Sequence, residues 1–206
     1  MIKLNLPSEY FLLTYIATIS VLTLSLIASG EVSIYRQENK KIMLKSKLKR
    51  IPNLFEVISG FEVCIRRNRF SENLNSKIDF IIFTTTDILL VNYVDYKGFI
   101  YGSPVRKKWW CLDKSKKIFL NPLEKAYLQR KTINRLINGS CGIRSFIIFS
   151  DEANLDYLKS INENAEIKVM NEHEFLEEIK IHACRKAKID RKEYKRLSKL
   201  IHKSSY

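Results

Sequence analysis

The stretch that decides the fold runs from Ser76 to Gly102 and reads SKIDFIIFTTTDILLVNYVDYKGFIYG. It contains two apolar runs, residues 78–84 and 88–94, which a short polar turn separates. Continuous apolar runs of this length indicate strands that are buried on both faces, as at the centre of an α/β sheet. Residues 97–102 predict a turn and a further short strand. The sequence therefore predicts a buried hairpin as the core of the fold.

A turn centred between the two runs determines which residues face one another across this hairpin. Asp79 then falls opposite Asn92, and directly opposed residues point to the same face of a sheet. Val94 lies on that face two residues along, and Lys97 lies a little beyond it. A metal-dependent nuclease needs carboxylates that hold Mg²⁺ and a lysine that steadies the attacking water. In this group only Asp79 supplies a carboxylate.

Further strands and two helices are expected around the hairpin. Asn121 followed by Pro122 is typical of a helix start, with Asn as the N-cap and Pro in the first turn. Asn171 and Glu174 are spaced as a capping box, which predicts a helix beginning near Glu172. Short apolar runs predict three more strands, over residues 61–68, 144–150 and 166–170. The predicted fold class is α/β, a mixed sheet flanked by helices.

The composition indicates a globular protein with a strongly basic balance. The chain has 206 residues, of which 46% are hydrophobic and 28% charged, with a formal net charge of +14. Such a charge favours a polyanionic partner, either nucleic acid or an anionic membrane face. The alternative is a lysine-rich composition that serves no partner. The four cysteines are far apart, which argues against zinc and favours a reducing compartment, although two disulfides stay an alternative for an exported domain.

The C-terminal stretch predicts an amphipathic basic helix. Residues 185–203 carry nine lysine or arginine residues, and apolar residues recur between them at helical spacing. A basic helix of this kind is a candidate for contacts with phosphates of nucleic acid or lipid, and a solvated helix face is the alternative. The candidate contact residues are Arg185, Lys188, Arg191, Lys192, Lys195, Arg196 and Lys199.

An uncharged run near the N-terminus predicts a transmembrane helix. Residues 10–30 lack charged side chains and are long enough to span a bilayer core. Only Lys3 precedes the run, whereas seven lysine or arginine residues follow it by residue 50, so the positive-inside rule predicts an N-out, C-in topology. The predicted location is the inner or plasma membrane, with the remaining chain in the cytoplasm. A cleaved signal peptide and a buried core helix are the alternatives.

The ordered set of motifs resembles the nuclease-related domain family, known as NERD. Its pattern is Ile-Asp, a hydrophobic hairpin, Glu-x-Lys, a glycine with a small strand, tryptophan, Asn-Pro at a helix start, and a strand ending in Phe-Ser or Phe-Thr. The matching positions are Ile78-Asp79, residues 98–102, Trp109-Trp110, Asn121-Pro122 and Phe149-Ser150. The resemblance covers about residues 55–180, and that family in turn resembles the PD-(D/E)xK phosphodiesterases. It implies a restriction-endonuclease-like fold.

The departures from this pattern imply a degenerate catalytic site. The family's Glu falls on Asn92, its Lys on Val94, and the Gln usually found in the Asn-Pro helix on Lys125. Asn92 cannot replace the charge of a carboxylate near Mg²⁺, and electrostatic stabilisation is usually the largest catalytic effect. The candidate site is therefore Asp79, Asn92 and Lys97, with Asp79 as the candidate metal ligand. We expect no cofactor, or Mg²⁺ if the site is active.

Four segments and three functions follow from these observations. The segments are a membrane anchor at 1–30, a basic connector at 31–50, a NERD-like domain at 51–180 and a basic tail at 181–206. The first function is a catalytically degraded module that binds DNA, RNA or a protein partner at the cytosolic membrane face. The second is an active nuclease in which Lys97 and a displaced Asp95 have migrated into the site. The third is a structural component of a membrane-bound DNA-transfer or secretion assembly.

Overall fold

The computed structural model describes residues 18–21, 34–66, 73–161, 166–185 and 187–203. The chain divides into two compact units, residues 1–43 and residues 44–206. In the first unit the described residues, 18–21 and 34–43, are helical. The second unit contains every strand that the structure describes, and it contains the predicted hairpin.

The larger of two sheets holds the hairpin at its centre. Its strands are β1 (Leu54–Arg66), β2 (Asn73–Thr84), β3 (Asp87–Val94), β7 (Gly142–Phe149) and β9 (Ile167–Asn171). They lie in the order β1-β2-β3-β7-β9, with β1, β2 and β3 antiparallel and with β7 and β9 parallel to β3. The predicted register is confirmed, because Phe80 pairs with Val91 and Ile81 with Leu90.

Helices cover both faces of this sheet, which explains why β3 is apolar throughout. The helices are α1, of which residues 44–49 belong to this unit, α2 (Pro122–Leu136), α3 (Glu172–Ala183) and α4 (Arg191–Lys203). On one face, Leu89 and Val91 of β3 share a core with residues of α1 and α3. On the other face, Ile88 and Leu90 share a core with residues of α2 and α4. A strand buried on both faces cannot alternate polar and apolar residues.

The two predicted helix starts are confirmed. The side chain of Asn121 accepts a hydrogen bond from the main-chain N–H of Leu123 at 2.9 Å, with Pro122 opening α2. Asn171 and Glu174 form the capping box of α3, in which the Glu174 carboxylate accepts from the Asn171 N–H at 3.0 Å. Each cap satisfies main-chain donors that have no partner within the helix.

A second, smaller sheet stands beside the first. Its strands are β4 (Gly98–Tyr101), β5 (Lys108–Leu112), β6 (Lys116–Leu120) and β8 (Ala153–Asn154), in the order β6-β5-β4-β8. Gly98 opens β4 with φ +75°, and a Cβ there would lie 2.3 Å from the carbonyl oxygen of Leu112. Glycine is thus required where β4 begins. The prediction of one mixed sheet is wrong on this point, because the described residues form two sheets.

The prediction of a transmembrane helix is also wrong. Within the part of the chain that the structure describes, no helix is both long enough and apolar enough to cross a membrane. The helices α2, α3 and α4 have 15, 12 and 13 residues and carry charged residues along their length. Apart from 18–21, the predicted segment 10–30 lies outside the described residues. The finding contradicts the membrane anchor and, with it, the single-pass topology, the membrane partner and the inner or plasma membrane location.

Candidate functional site

Asp79 lies where the pairing of the central hairpin ends. The ladder between β2 and β3 runs from Phe83 and Ile88 to Phe80 and Val91. One residue further, the Asp79 carboxylate accepts a hydrogen bond from the main-chain N–H of Tyr93 at 2.8 Å. The Asp79 carboxylate therefore serves as the hydrogen-bond acceptor for β3 at this point. This hydrogen bond holds Asp79 next to the end of β3. A carboxylate that accepts from a main-chain N–H forms a charge-assisted hydrogen bond.

Asn92 is bound by a residue of helix α2 that the sequence did not single out. Its Nδ2 donates to Oε1 of Gln129 at 2.8 Å. Gln129 Nε2 in turn donates to the Ser76 hydroxyl at 2.9 Å and to the carbonyl of Lys77 at 3.0 Å. A carbonyl only accepts, so Lys77 fixes which end of the Gln129 amide is the donor and thereby fixes the orientation of Asn92. We call Ser76, Asp79, Asn92 and Gln129 the polar cluster.

The polar cluster is closed to solvent. Gln129 is 0% exposed, Asn92 4%, and Asp79 and Ser76 each 9%. Asn92 Oδ1 is buried without a hydrogen-bond partner, so one acceptor of the cluster stays unsatisfied. Buried polar groups are costly unless they are hydrogen-bonded, which makes the hydrogen bonds of Gln129 important for stability. The cluster joins β2, β3 and α2 at one point.

The other two candidate positions, Val94 and Lys97, have partners outside the polar cluster. Val94 is half-buried and packs against an apolar core that includes Ile100 and Phe149. The Lys97 ammonium forms an ion pair with the carboxylate of Glu152. Asp79 is thus bonded to the main chain of Tyr93, next to Asn92, and Asn92 is bonded to Gln129, whereas Val94 packs in an apolar core and Lys97 forms an ion pair.

Gln129 is the residue that sequence reasoning missed. The family's glutamine was assigned to Lys125, which is exposed on α2. Gln129 follows one helical turn later on the buried side of that helix, between Ala126 and Ile133. The usable signal was this single polar residue within an apolar stripe at helical spacing, because a polar residue in such a place needs a partner in the core.

These residues do not fit a catalytic Mg²⁺. The ion prefers octahedral oxygen ligands and is usually held by one or two carboxylates, several waters and substrate phosphates. The polar cluster offers the Asp79 carboxylate and the unpartnered Oδ1 of Asn92, but its side chains are at most 9% exposed, which excludes the several waters and the substrate phosphate that complete an octahedral shell. No group of three histidine, cysteine, aspartate or glutamate side chains that could hold a metal ion occurs among the described residues. We therefore derive no step through a metal.

A buried histidine lies at the opposite end of β3 and is not part of the polar cluster. His182 is 0% exposed, with Nε2 3.4 Å from Glu178 and Nδ1 3.7 Å from Asp87. Burial lowers the pKa of His182 below its ordinary value, and the nearby Arg144 lowers it further. His182 is consequently neutral at pH 7.

The predicted basic helix is present as α4, which begins at Arg191 rather than at residue 185, so that the candidates Arg185 and Lys188 precede it. The apolar side of α4 is buried through Leu197 and Ile201, which pack against the α2 side of the larger sheet. Arg196 forms an ion pair with Glu193 at 2.5 Å. All seven candidates for phosphate contact are exposed: Arg185, Lys188, Arg191, Lys192, Lys195, Arg196 and Lys199.

Comparison with known proteins gives one match. The family model described as nuclease-related domain matches residues 36–150. Comparisons with curated proteins and with solved structures gave no match. The matched range covers more than half of the chain and includes the hairpin, the polar cluster and the smaller sheet up to β6.

Proposed function

The chain belongs to the nuclease-related domain family, and from this premise we propose that it binds nucleic acid without hydrolysing it. The hydrogen bond between Asn92 and Gln129 is the observation that carries the proposal. Asn92 stands at the position where the family pattern has its second carboxylate. The hydrogen bond also makes the position part of the core, because neither side chain is more than 4% exposed.

The chemistry of the cluster supports the loss of hydrolysis. Phosphodiester cleavage by a bound metal requires charge that holds the ion and stabilises the developing oxyanions. Asp79 brings one negative charge, and the neutral Asn92 and Val94 bring none. The ion pair with Glu152 holds the Lys97 ammonium, which argues against the migrated-site alternative. The cluster that would perform catalysis instead joins β2, β3 and α2.

The charge of the chain supports the binding part of the proposal. The formal net charge of +14 favours a polyanion, and the exposed residues of α4 concentrate part of that charge on one helix. Contacts between lysine or arginine and phosphates supply most of the non-specific affinity for nucleic acid, because they release condensed counterions. We propose that α4 makes such contacts through Lys192, Lys195 and Lys199.

The first experiment measures hydrolysis. The full chain is incubated with labelled single-stranded and duplex DNA and RNA in Mg²⁺, in Mn²⁺ and in chelator, beside the variant Asp79→Ala. We expect no divalent-dependent cleavage above the variant's background, since the neutral Asn92 and Val94 supply none of the charge that metal-dependent cleavage needs beside Asp79. Metal-dependent cleavage by the wild type that disappears in Asp79→Ala would contradict the proposal.

The second experiment measures the salt dependence of binding. We expect the affinity of the wild type to fall steeply with salt, and the triple substitution of Lys192, Lys195 and Lys199 by alanine to reduce the slope of log K against log salt by roughly 0.7–0.9 per lost phosphate contact. A matched triple variant removes equal charge elsewhere, at Lys49, Lys131 and Lys180. Equal slopes for the two triple variants would rule out α4 as the contact surface.

A further inference from the structure

The smaller sheet has one face that carries exposed aromatic rings. Side chains alternate along a strand, so Phe99 and Tyr101 of β4 share a face with Trp110 of β5, with which Tyr101 is paired. Tyr157, from the 3₁₀ helix at Asp156–Ile161, covers part of the same face. We call Phe99, Tyr101, Trp110 and Tyr157 the aromatic face. Trp109 points the other way and is fully buried.

The four rings form a continuous series. Trp110 stacks on Tyr101 with ring centroids 5.7 Å apart and an interplanar angle of 12°. Tyr101 stacks on Tyr157 at 4.5 Å, and Phe99 lies 6.3 Å from Tyr157 in an edge-to-face arrangement. Tyr157 is 58% exposed and Phe99 45% exposed. Ring surface is therefore accessible to a planar ligand, and the mutual stacking holds the rings in place.

Positive charge surrounds these rings. The guanidinium carbon of Arg106 lies 5.4 Å from the centroid of Trp110, and Nζ of Lys116 lies 5.3 Å from it. Both distances are within the range of cation–π contacts. Residues 106–117 carry six lysine or arginine residues against the single acidic residue Asp113. A ligand that stacks on the rings would thus bring its own charge next to several cations.

The combination of rings and cations distinguishes between two kinds of partner. The face extends to exposed aliphatic residues, Leu112 at 46% and Ile118 at 62%, and a face of this kind can be a protein interface. Lysine, however, is depleted in protein interfaces. Aromatic side chains with a basic surround are the means by which proteins bind single-stranded nucleic acid, whose unpaired bases stack while the phosphates meet cations.

We propose that the aromatic face binds single-stranded nucleic acid. Bases stack on the accessible rings of Tyr157 and Phe99, and the phosphates further along the strand meet Arg106 and Lys116 beside Trp110. This inference rests on the proposed function. It specifies that the nucleic acid is single-stranded and that the aromatic face binds it. It is separate from the phosphate contacts of α4, which need no unpaired base.

The test compares two exposed tyrosines. The probe is a fluorescein-labelled oligothymidine of about 20 nucleotides, with the same length of oligouridine and of duplex DNA as further arms, binding to the full chain. Tyr157→Ala is expected to raise the Kd for the single strands by roughly tenfold, as loss of one stacked base does. Tyr157→Phe keeps the ring and should bind as the wild type does. Tyr127→Ala removes a 51% exposed tyrosine on α2 and should change the Kd less than about twofold.

A spectroscopic readout locates the binding to this face. Tryptophan fluorescence of the wild type should be quenched by oligothymidine, and the quenching should be lost in Trp110→Phe, because Trp109 is buried. Lys116→Ala should reduce the salt slope by roughly 0.7, whereas Lys131→Ala on α2 should not. The DNA and RNA arms identify which strand chemistry the face prefers.

Each failure has its own meaning. If the wild type binds neither single strands nor duplex, the proposed function and this inference both fail. If it binds but Tyr157→Ala and Tyr127→Ala behave alike, or if duplex binds better than single strand, this inference alone is wrong. Self-association of the wild type that Tyr157→Ala abolishes, without any effect on the Kd for oligothymidine, would make the face a protein interface instead.

Discussion

Replacing Gln129 with leucine is expected to lower the free energy of unfolding by about 3–5 kcal/mol. The substitution places an apolar side chain of similar size on α2, and it removes every hydrogen bond of the Gln129 amide. The Asn92 NH₂ loses its acceptor, and the Ser76 hydroxyl and the Lys77 carbonyl lose their donor. Each buried group that is left unsatisfied costs about 1–3 kcal/mol, since the closed cluster admits no water to replace the amide. Urea unfolding with an unchanged m-value measures the loss.

A matched variant separates this effect from a general effect of leucine on the helix. Asn134→Leu introduces leucine on the exposed side of α2 and should change the free energy of unfolding by no more than about 0.5 kcal/mol. The double variant Asn92→Leu with Gln129→Leu removes both partners, so it should be less destabilised than the two single changes predict, by about 1 kcal/mol or more. If Gln129→Leu and Asn134→Leu lower the free energy of unfolding by equal amounts, the polar cluster does not stabilise the fold.

The hairpin could be predicted because the residues that determine its strands and its register lie close together in the sequence. Two apolar runs with a polar turn between them allow one register, and Phe80 pairs with Val91 as that register requires. The two helix starts were predictable for the same reason, because a cap is a bond between residues two or three positions apart. In each case the interacting residues are near neighbours in the chain.

What could not be predicted depends on contacts between distant segments. Gln129 reaches Ser76 across 53 positions, and no spacing along the chain indicates that pairing. The fourth strand of the smaller sheet, β8, is only two residues long and pairs with β4 across more than fifty positions, as Gly98 with Ala153, so no local pattern indicates it. The transmembrane prediction rested on the length and the lack of charge of residues 10–30 and on the basic residues that follow them. It is contradicted by the described residues, whose helices are short and carry charge.

The sequence alone also does not show how the adjacent residues Trp109 and Trp110 divide between the core and the surface. The structure separates them: alternation along β5 buries the first ring completely and leaves the second half-buried beside Tyr101. A pair of identical residues on a strand must divide between its two faces, but only the folded chain shows which face is covered.

Trp109→Ala is expected to lower the free energy of unfolding by about 3–5 kcal/mol, against about 1 kcal/mol for Trp110→Ala. Trp109 is 0% exposed, its Nε1–H donates to the Ser103 carbonyl at 3.0 Å, and it shares the core of Ile100 and Phe149. A Cβ at Gly102 would lie 2.2 Å from the indole, so the ring packs directly against the main chain there. Alanine leaves a cavity that this close packing cannot fill.

Thermal and urea unfolding of the two variants, measured side by side, test this difference. The control is built into the pair, because the same atoms are removed one position apart on the same strand. Equal losses of unfolding free energy would mean that both rings pack in the core. Trp110, which lies beside Arg106 and Lys116, would then not belong to the aromatic face. A large loss confined to Trp109→Ala leaves Trp110→Ala folded. Any weaker binding of oligothymidine by that variant then reports a missing ring rather than an unfolded sheet.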